Sequence, residues 1–247
     1  MFELATAGGI ARLTLARPAA RNAIPIAGWS VLAARALEAG EAGARLLILT
    51  GAGGAFCAGA DVTEFAAFRD DPAAAATFRQ AMRGALDALR TLSIPTVARI
   101  EGACFGAGVA LAMACDLRFA SPRASFAITP AKFGISFPQE DVHRLVSLVG
   151  EGQAARLLLG GGAIDGREAE RIGLVERFAA DGLDEEVEAV AAALSANDPD
   201  SLRTLKRGLR LAGDGVRRDE EQDRCFDALL GSDALAARLA ARRRRRR

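Results

Sequence analysis

The sequence predicts an α/β domain followed by a helical extension, and three observations carry that expectation. Two short, continuous apolar runs, Leu46-Leu-Ile-Leu-Thr50 and Thr96-Val-Ala-Arg-Ile100, have the character of strands covered on both faces. Each leads into a glycine-rich loop that opens a helix: Gly51-Ala-Gly-Gly-Ala-Phe-Cys-Ala-Gly-Ala-Asp61 and Glu101-Gly-Ala-Cys-Phe-Gly-Ala-Gly108. Beyond about residue 180 the apolar spacing is helical throughout. With 247 residues, 51% of them hydrophobic, the chain can bury one sizeable core. It shows no internal repeat and no long linker.

The elements follow in order. Ile10–Leu15 alternates like a half-buried strand, and Phe2–Thr6 can pair with it through Gly8-Gly9. Residues 28–39 carry helical spacing, with Gly40 as a stop. Asp71 is a candidate N-cap, with Pro72 in the first turn of a helix running to about Thr91. Val109–Ala114 predicts a short buried helix; Leu117–Ala120 and Ser125–Ile128 predict strands. Helices are expected over Glu140–Val149 and Gly152–Leu159, then from Gly166 to Ile172 with Asp165 as cap and Gly173 as terminator. Val175–Phe178 predicts a last strand, and residues 184–195, 199–212, 217–230 and 233–241 predict helices. The expected organisation is an α/β core over 1–180, a helical region over 181–241 and an arginine tail over 242–247.

Composition removes several function classes. No stretch approaches the ~18 continuous apolar residues of a membrane span. The segment Met1–Ala7 lacks the basic-then-apolar pattern of a signal peptide, so a cytoplasmic protein is expected. The four cysteines show no metal-ligand or CxxC spacing, so no metal is expected. Net charge is +1, but without the six terminal arginines the remaining 26 basic residues against 31 acidic ones leave the body at −5. The arginine run is expected to be a solvated, disordered tail, and nucleic-acid binding is not expected. Gly51-Ala-Gly-Gly54 lacks the Lys-Ser/Thr of a phosphate-binding P-loop.

The glycine loops carry the chemistry. Small residues let backbone N–H groups approach a ligand, and a helix N-terminus adds free donors and partial positive charge. Two such donors aimed at one point make an oxyanion hole. That suits a thioester, whose carbonyl oxygen gains negative charge in an enolate or tetrahedral intermediate.

The motifs Phe56-Cys-Ala-Gly-Ala-Asp-Val62, Ile100-Glu-Gly-Ala-Cys-Phe-Gly-Ala-Gly108 and Leu111-Ala-Met-Ala-Cys-Asp-Leu117 resemble those of the enoyl-CoA hydratase/isomerase (crotonase) superfamily. Asn22-Ala23 after Pro18, Lys132-Phe-Gly-Ile135 and Gly166-Arg-Glu-Ala-Glu-Arg-Ile-Gly-Leu-Val175 continue the resemblance in the same order. It implies a spiral of β-β-α units with a C-terminal helical trimerisation region, assembled as a homotrimer or dimer of trimers. It also implies an acyl-CoA thioester as substrate and no separate cofactor, coenzyme A arriving as part of the substrate. The thioester oxygen would lie between the amides of Ala58 and Ala107. Coenzyme A would lie near Arg21, Ala23, Ala60, Asp61 and Val62, with Lys206 as a candidate phosphate contact. Asp61 is equally a candidate helix cap.

The chain departs from the family where hydratases carry two glutamates. One such position holds Ala110 and the other Pro130, and neither can move a proton. Hydratase activity is therefore expected to be weak or absent. Glu140 and Asp141 are the candidate replacements, either as catalytic acids for Δ3–Δ2 isomerisation or another enolate reaction, or as the acidic first turn of a helix. His143, three residues beyond Glu140, would share its helix face, and Glu101 is a candidate for orienting its loop through backbone amides. A non-catalytic acyl-CoA-binding protein is the remaining alternative. Nucleophilic catalysis by Cys57 or Cys104 is not expected, since neither has a histidine partner in sequence.

Overall fold

The structure is a computed structural model that describes residues 1–244. Its main sheet has six strands in the order β1-β2-β3-β4-β6-β9. These are β1 (Phe2–Ala7), β2 (Ile10–Leu15), β3 (Leu46–Gly51), β4 (Thr96–Ile100), β6 (Leu117–Ala120) and β9 (Arg177–Phe178). The first pair is antiparallel and every later pair is parallel. A second sheet holds β5 (Ala103–Phe105), β7 (Ser125–Ala127) and β8 (Ile164–Asp165). Two isolated parallel bridges, Ile24 with Ala60 and Cys57 with Cys104 of β5, add to these ladders and involve both glycine loops.

The apolar runs are buried on both faces, as their lack of alternation requires. Leu47 and Leu49 of β3 join the main core with Trp29, Leu32 and Leu86. Leu46 and Ile48, one residue out of phase, join a second cluster with Val97 and Phe119. The main core takes Trp29 and Leu32 from α1 (Gly28–Glu41), Leu86 from α2 (Pro72–Thr91) and Leu111 from α3 (Ala107–Ala114). The second cluster is closed by Leu183, Val187 and Ala191 of α6 (Leu183–Ser195). By its packing α6 therefore belongs to the α/β body rather than to a separate helical region.

Local chemistry sets the helix ends. Asp71 accepts the Ala74 amide and Pro72 opens α2, while Asp165 accepts the Glu168 amide at the start of α5 (Gly166–Arg171). Gly150, with φ +77°, breaks α4 (Gln139–Gly160) into two segments, matching the two helices expected there. The later helices are α7 (Pro199–Gly213), α8 (Glu220–Leu230) and α9 (Asp233–Arg244). They leave Leu205, Leu209, Phe226 and Leu230 exposed. Arg242–Arg244 continue α9, against the expectation of a disordered tail; Arg245–Arg247 lie outside the described residues. The final strand is shorter than expected; the helix over 62–68 that Asp61 could cap is the 3-10 turn Val62–Phe68, while β5, β8 and the 3-10 turns at Pro18–Ala20 and Pro130–Phe133 were not expected as regular elements. No described helix is long and apolar enough to cross a membrane.

The two glycine loops touch backbone to backbone. A Cβ on Gly108 would overlap the carbonyl of Cys57, and one on Gly59 would sit 2.8 Å from Phe105 O and 3.2 Å from Ala107 N. Gly108→Ala should therefore force the loops apart and destabilise the fold by about 1–3 kcal/mol, the usual cost of overpacking. Urea unfolding would measure it; unchanged stability would show that the loops can separate freely.

Candidate functional site

A cleft of about 830 Å³ opens where the two loops meet. Its floor comes from Ala58–Val62 and Phe105–Ala107. Phe78 and Met82 of α2, with Phe65, add an apolar wall. The rings of Phe65, Phe68 and Phe78 pack in tilted and edge-on pairs with centroids 5.3–5.6 Å apart. Pro130, Phe133, Ile135 and Phe137 line the cleft as well.

Asn22 holds the first loop in place. With Arg21 it adopts positive φ, 58° and 50° respectively, a conformation asparagine tolerates better than most residues. Its buried side chain donates to Ala52 O (2.9 Å) and Ala55 O (2.7 Å) and accepts the Arg17 amide (2.9 Å). Arg17 in turn pairs with Asp61 at 2.6 Å. Asp61 also accepts from Thr63 N and Oγ1, which caps the 3-10 turn. These bonds, the Thr63 hydroxyl first and the Arg17 guanidinium second, hold the Asp61 carboxyl below its ordinary pKa. The carboxylate is thus charged, capped and paired.

The amides divide in a way the sequence did not reveal. Ala58 N–H donates to Arg21 O at 2.9 Å, so the expected oxyanion donor is already committed within the protein. The bridge to Ile24 uses Gly59 O and Asp61 N, at 2.8 Å each. By strand alternation it leaves the intervening Ala60 N–H on the opposite side. Ala60 and Ala107 both line the cleft, and among the described residues neither amide has a backbone partner. Ala107 opens α3, where a helix leaves its first amides free. Gly106 N–H is taken by Ala127 O.

Of the expected site residues, Arg21, Ala23, Ala58, Ala60, Asp61, Val62 and Ala107 all line this cleft. Glu140, Asp141 and Lys206 do not; they line a second cavity. The first turn of α4 directs both acids at Arg83 of α2, with Asp141 at 3.0 Å and Glu140 at 3.5 Å. This corrects their expected place in the acyl site. Lys206 is buried, donates to Ile94 O at 2.8 Å and pairs with Asp116 at 2.8 Å, so it braces α7 against the body and does not reach the cleft. Glu101 pairs with Arg99 and Arg123 rather than with loop amides. His143 is exposed on α4 and lines the second cavity.

The first cleft therefore holds one carboxylate, that of Asp61, beside three cations, Arg21, Arg79 and Lys132. Pro130 lines it, and Ala110 is buried on α3. Burial pushes the Cys57 thiol up to about 12 and raises Cys104 well above its ordinary value. Neither forms a thiolate at neutral pH.

An α/β body in which two touching glycine loops offer main-chain donors to an apolar cleft defines the class, and sequence comparison names the family. The profile of the enoyl-CoA hydratase/isomerase family matches residues 5–230. The chain belongs to that family and has its crotonase-like fold. It is 32% identical over 246 residues to a Mycobacterium tuberculosis protein named "Probable enoyl-CoA hydratase echA6", covering 99% of this chain and 97% of that one. An enoyl-CoA hydratase/carnithine racemase structure from Magnetospirillum magneticum superposes with a TM-score of 0.92 at 32% identity, covering 99% of this chain and 92% of the other. The enoyl-CoA hydratase structure from Bacillus anthracis superposes at 0.89 with 26% identity, covering 99% and 96%.

Two predictions follow from the site's scaffold. Asn22→Ala removes the side-chain partner of one buried carbonyl, Ala55 O, and of the part-buried Ala52 O and Arg17 N–H, so unfolding by denaturant should show a loss of about 2–4 kcal/mol. A thiol reagent at neutral pH should label only Cys225, the one cysteine that is not fully buried, until the protein is unfolded. Rapid native labelling of Cys57 would contradict its burial.

Proposed function

We propose that the protein binds acyl-CoA thioesters and polarises the thioester carbonyl, without hydrating the acyl chain. The observation that carries this reading is the composition of the cleft. Two unpartnered main-chain amides, Ala60 and Ala107, accompany an apolar wall, and the single carboxylate is consumed as a cap. The amides supply the oxyanion donors. The cations Arg21, Arg79 and Lys132 have no ion-pair partner among the described residues and suit the phosphates of coenzyme A. The aromatic wall of Phe65 and Phe78 suits an acyl chain.

Hydration needs a base to activate water and an acid to protonate carbon. Ala110 and Pro130 supply neither, and Glu140 and Asp141 are held in the second cavity. The same placement removes support for an isomerase that uses these acids. Each missing acid–base group costs about 10²–10⁴ in rate. The family resemblance supports a trimer or a dimer of trimers, and the exposed leucines and Phe226 of α7 and α8 offer apolar faces to such an assembly.

Calorimetric titration with an acyl-CoA, free coenzyme A and an acyl thioether lacking the carbonyl tests this reading. The thioester should bind most tightly. Ala107→Pro removes one donor at a helix position that tolerates proline. It should weaken thioester binding roughly 3–10-fold and leave thioether and free coenzyme A unchanged. Hydration of crotonyl-CoA at ordinary enzymatic rates, or equal binding of thioester and thioether, would overturn the proposal.

A further inference from the structure

The second cavity, of about 780 Å³, is enclosed by α2, the end of α3, the first half of α4 and α7. Its charges do not all find partners. Six cations line it, namely Arg83, Arg90, Arg118, Arg144, Lys206 and Arg210. Arg83 takes Asp87, Glu140 and Asp141; Arg90 takes Asp214; Arg118 takes Glu176; Lys206 takes Asp116. These pairs use every acid lining the cavity. Arg144 and Arg210 are left without an ion-pair or hydrogen-bond partner among the described residues. Arg90 Nε is a buried donor without a partner as well.

Arg144 is half-buried, and its electrostatic surroundings are mainly other guanidinium groups. Burial first, then Arg90, Arg118 and Arg83, pull its pKa down to about 10, and Asp214 only partly offsets them. It remains protonated at neutral pH, so its charge is held against both desolvation and like-charge repulsion. A half-buried guanidinium is stable there at a cost that an incoming anion would remove. The cavity's volume lies in the range of metabolite sites, well above that of a lone ion.

We infer that this cavity is a second ligand site, independent of the thioester cleft, in which Arg144 and Arg210 receive the oxyanion group of a small polyanionic metabolite. Guanidinium groups hold phosphoryl and carboxylate oxygens through forked hydrogen bonds, so a phosphorylated compound and a polycarboxylate share the required chemistry. The paired acids orient the neighbouring cations, and the repulsion that unpaired guanidinium groups exert turns away a cation.

Calorimetry on the intact protein at fixed ionic strength tests the inference, with inorganic phosphate and citrate as separate probes. At least one should bind, and Arg144→Gln should weaken it roughly tenfold or more. Arg210→Gln should act in the same direction, and Arg224→Gln on α8, outside the cavity, should have no effect. Phosphate alone binding would identify a phosphoryl ligand, and citrate alone a polycarboxylate. Without added anion, Arg144→Gln should raise Tm, because it removes the repelled charge; a residue serving structure alone would lower it. Absence of binding by both probes, or equal binding by wild type and Arg144→Gln, would overturn the inference. Loss of the native oligomer in Arg144→Gln without any anion binding would also overturn it and assign the arginine to a contact between subunits.

Discussion

The contact between the two glycine loops is the constraint on which the rest of the structure depends. Gly108 rests on the Cys57 carbonyl, and Gly59 faces the Phe105 carbonyl. The Cys57–Cys104 bridge locks the two backbones together through Cys57 N to Ala103 O and Phe105 N to Cys57 O, both 2.9 Å. Only residues without a Cβ allow this approach. Everything needed at the cleft floor then follows from backbone geometry. The start of α3 is held against the first loop, so its free amides lie beside the segment whose Ala60 N–H the Ile24 bridge does not use. Because these amides belong to the main chain, the alanine side chain at position 107 leaves its N–H in place at the cleft.

Charge is divided between two cavities. The first cleft keeps apolar walls and neutral amides, with its one carboxylate tied to Arg17 and Thr63. Behind the cleft floor, burial keeps the Cys57 thiol neutral, and Asp61 is the one carboxylate among the described residues that line the cleft. The second cavity gathers acids and arginines in close pairs. Asp141 shows the tension in that arrangement. Desolvation raises its pKa despite the Arg83 partner, and its Oδ2 is buried without a hydrogen bond. Such a network fixes the relative positions of α2, α4 and α7 more than it stabilises them, since the cost of desolvating each charge opposes the attraction within each pair.

Most of the fold was legible in the sequence because local signals agreed with one another. Continuous apolar runs marked β3 and β4, and the Asp-Pro and Asp-Gly pairs marked the starts of α2 and α5. The site was legible only as a neighbourhood. Seven of the ten expected residues line the cleft, yet the choice between Ala58 and Ala60 depended on pairing with Arg21 and Ile24, a contact distant in sequence. The fate of Glu140 and Asp141 depended on Arg83 in another helix, and that of Lys206 on Asp116 and the Ile94 carbonyl. The three-residue β5 was hidden inside a glycine loop, because its strand character comes from its partner β7 and not from its own composition.

The most direct measurement of the central claim is isotope-edited infrared spectroscopy of a bound acyl-CoA carrying a labelled thioester carbonyl. Two amide donors converging on that oxygen should move the carbonyl stretch to lower frequency than in buffer, and Ala107→Pro should reverse part of the shift. A stretch unchanged on binding, or one insensitive to loss of the Ala107 amide, would contradict the assignment of Ala60 and Ala107 as the polarising pair.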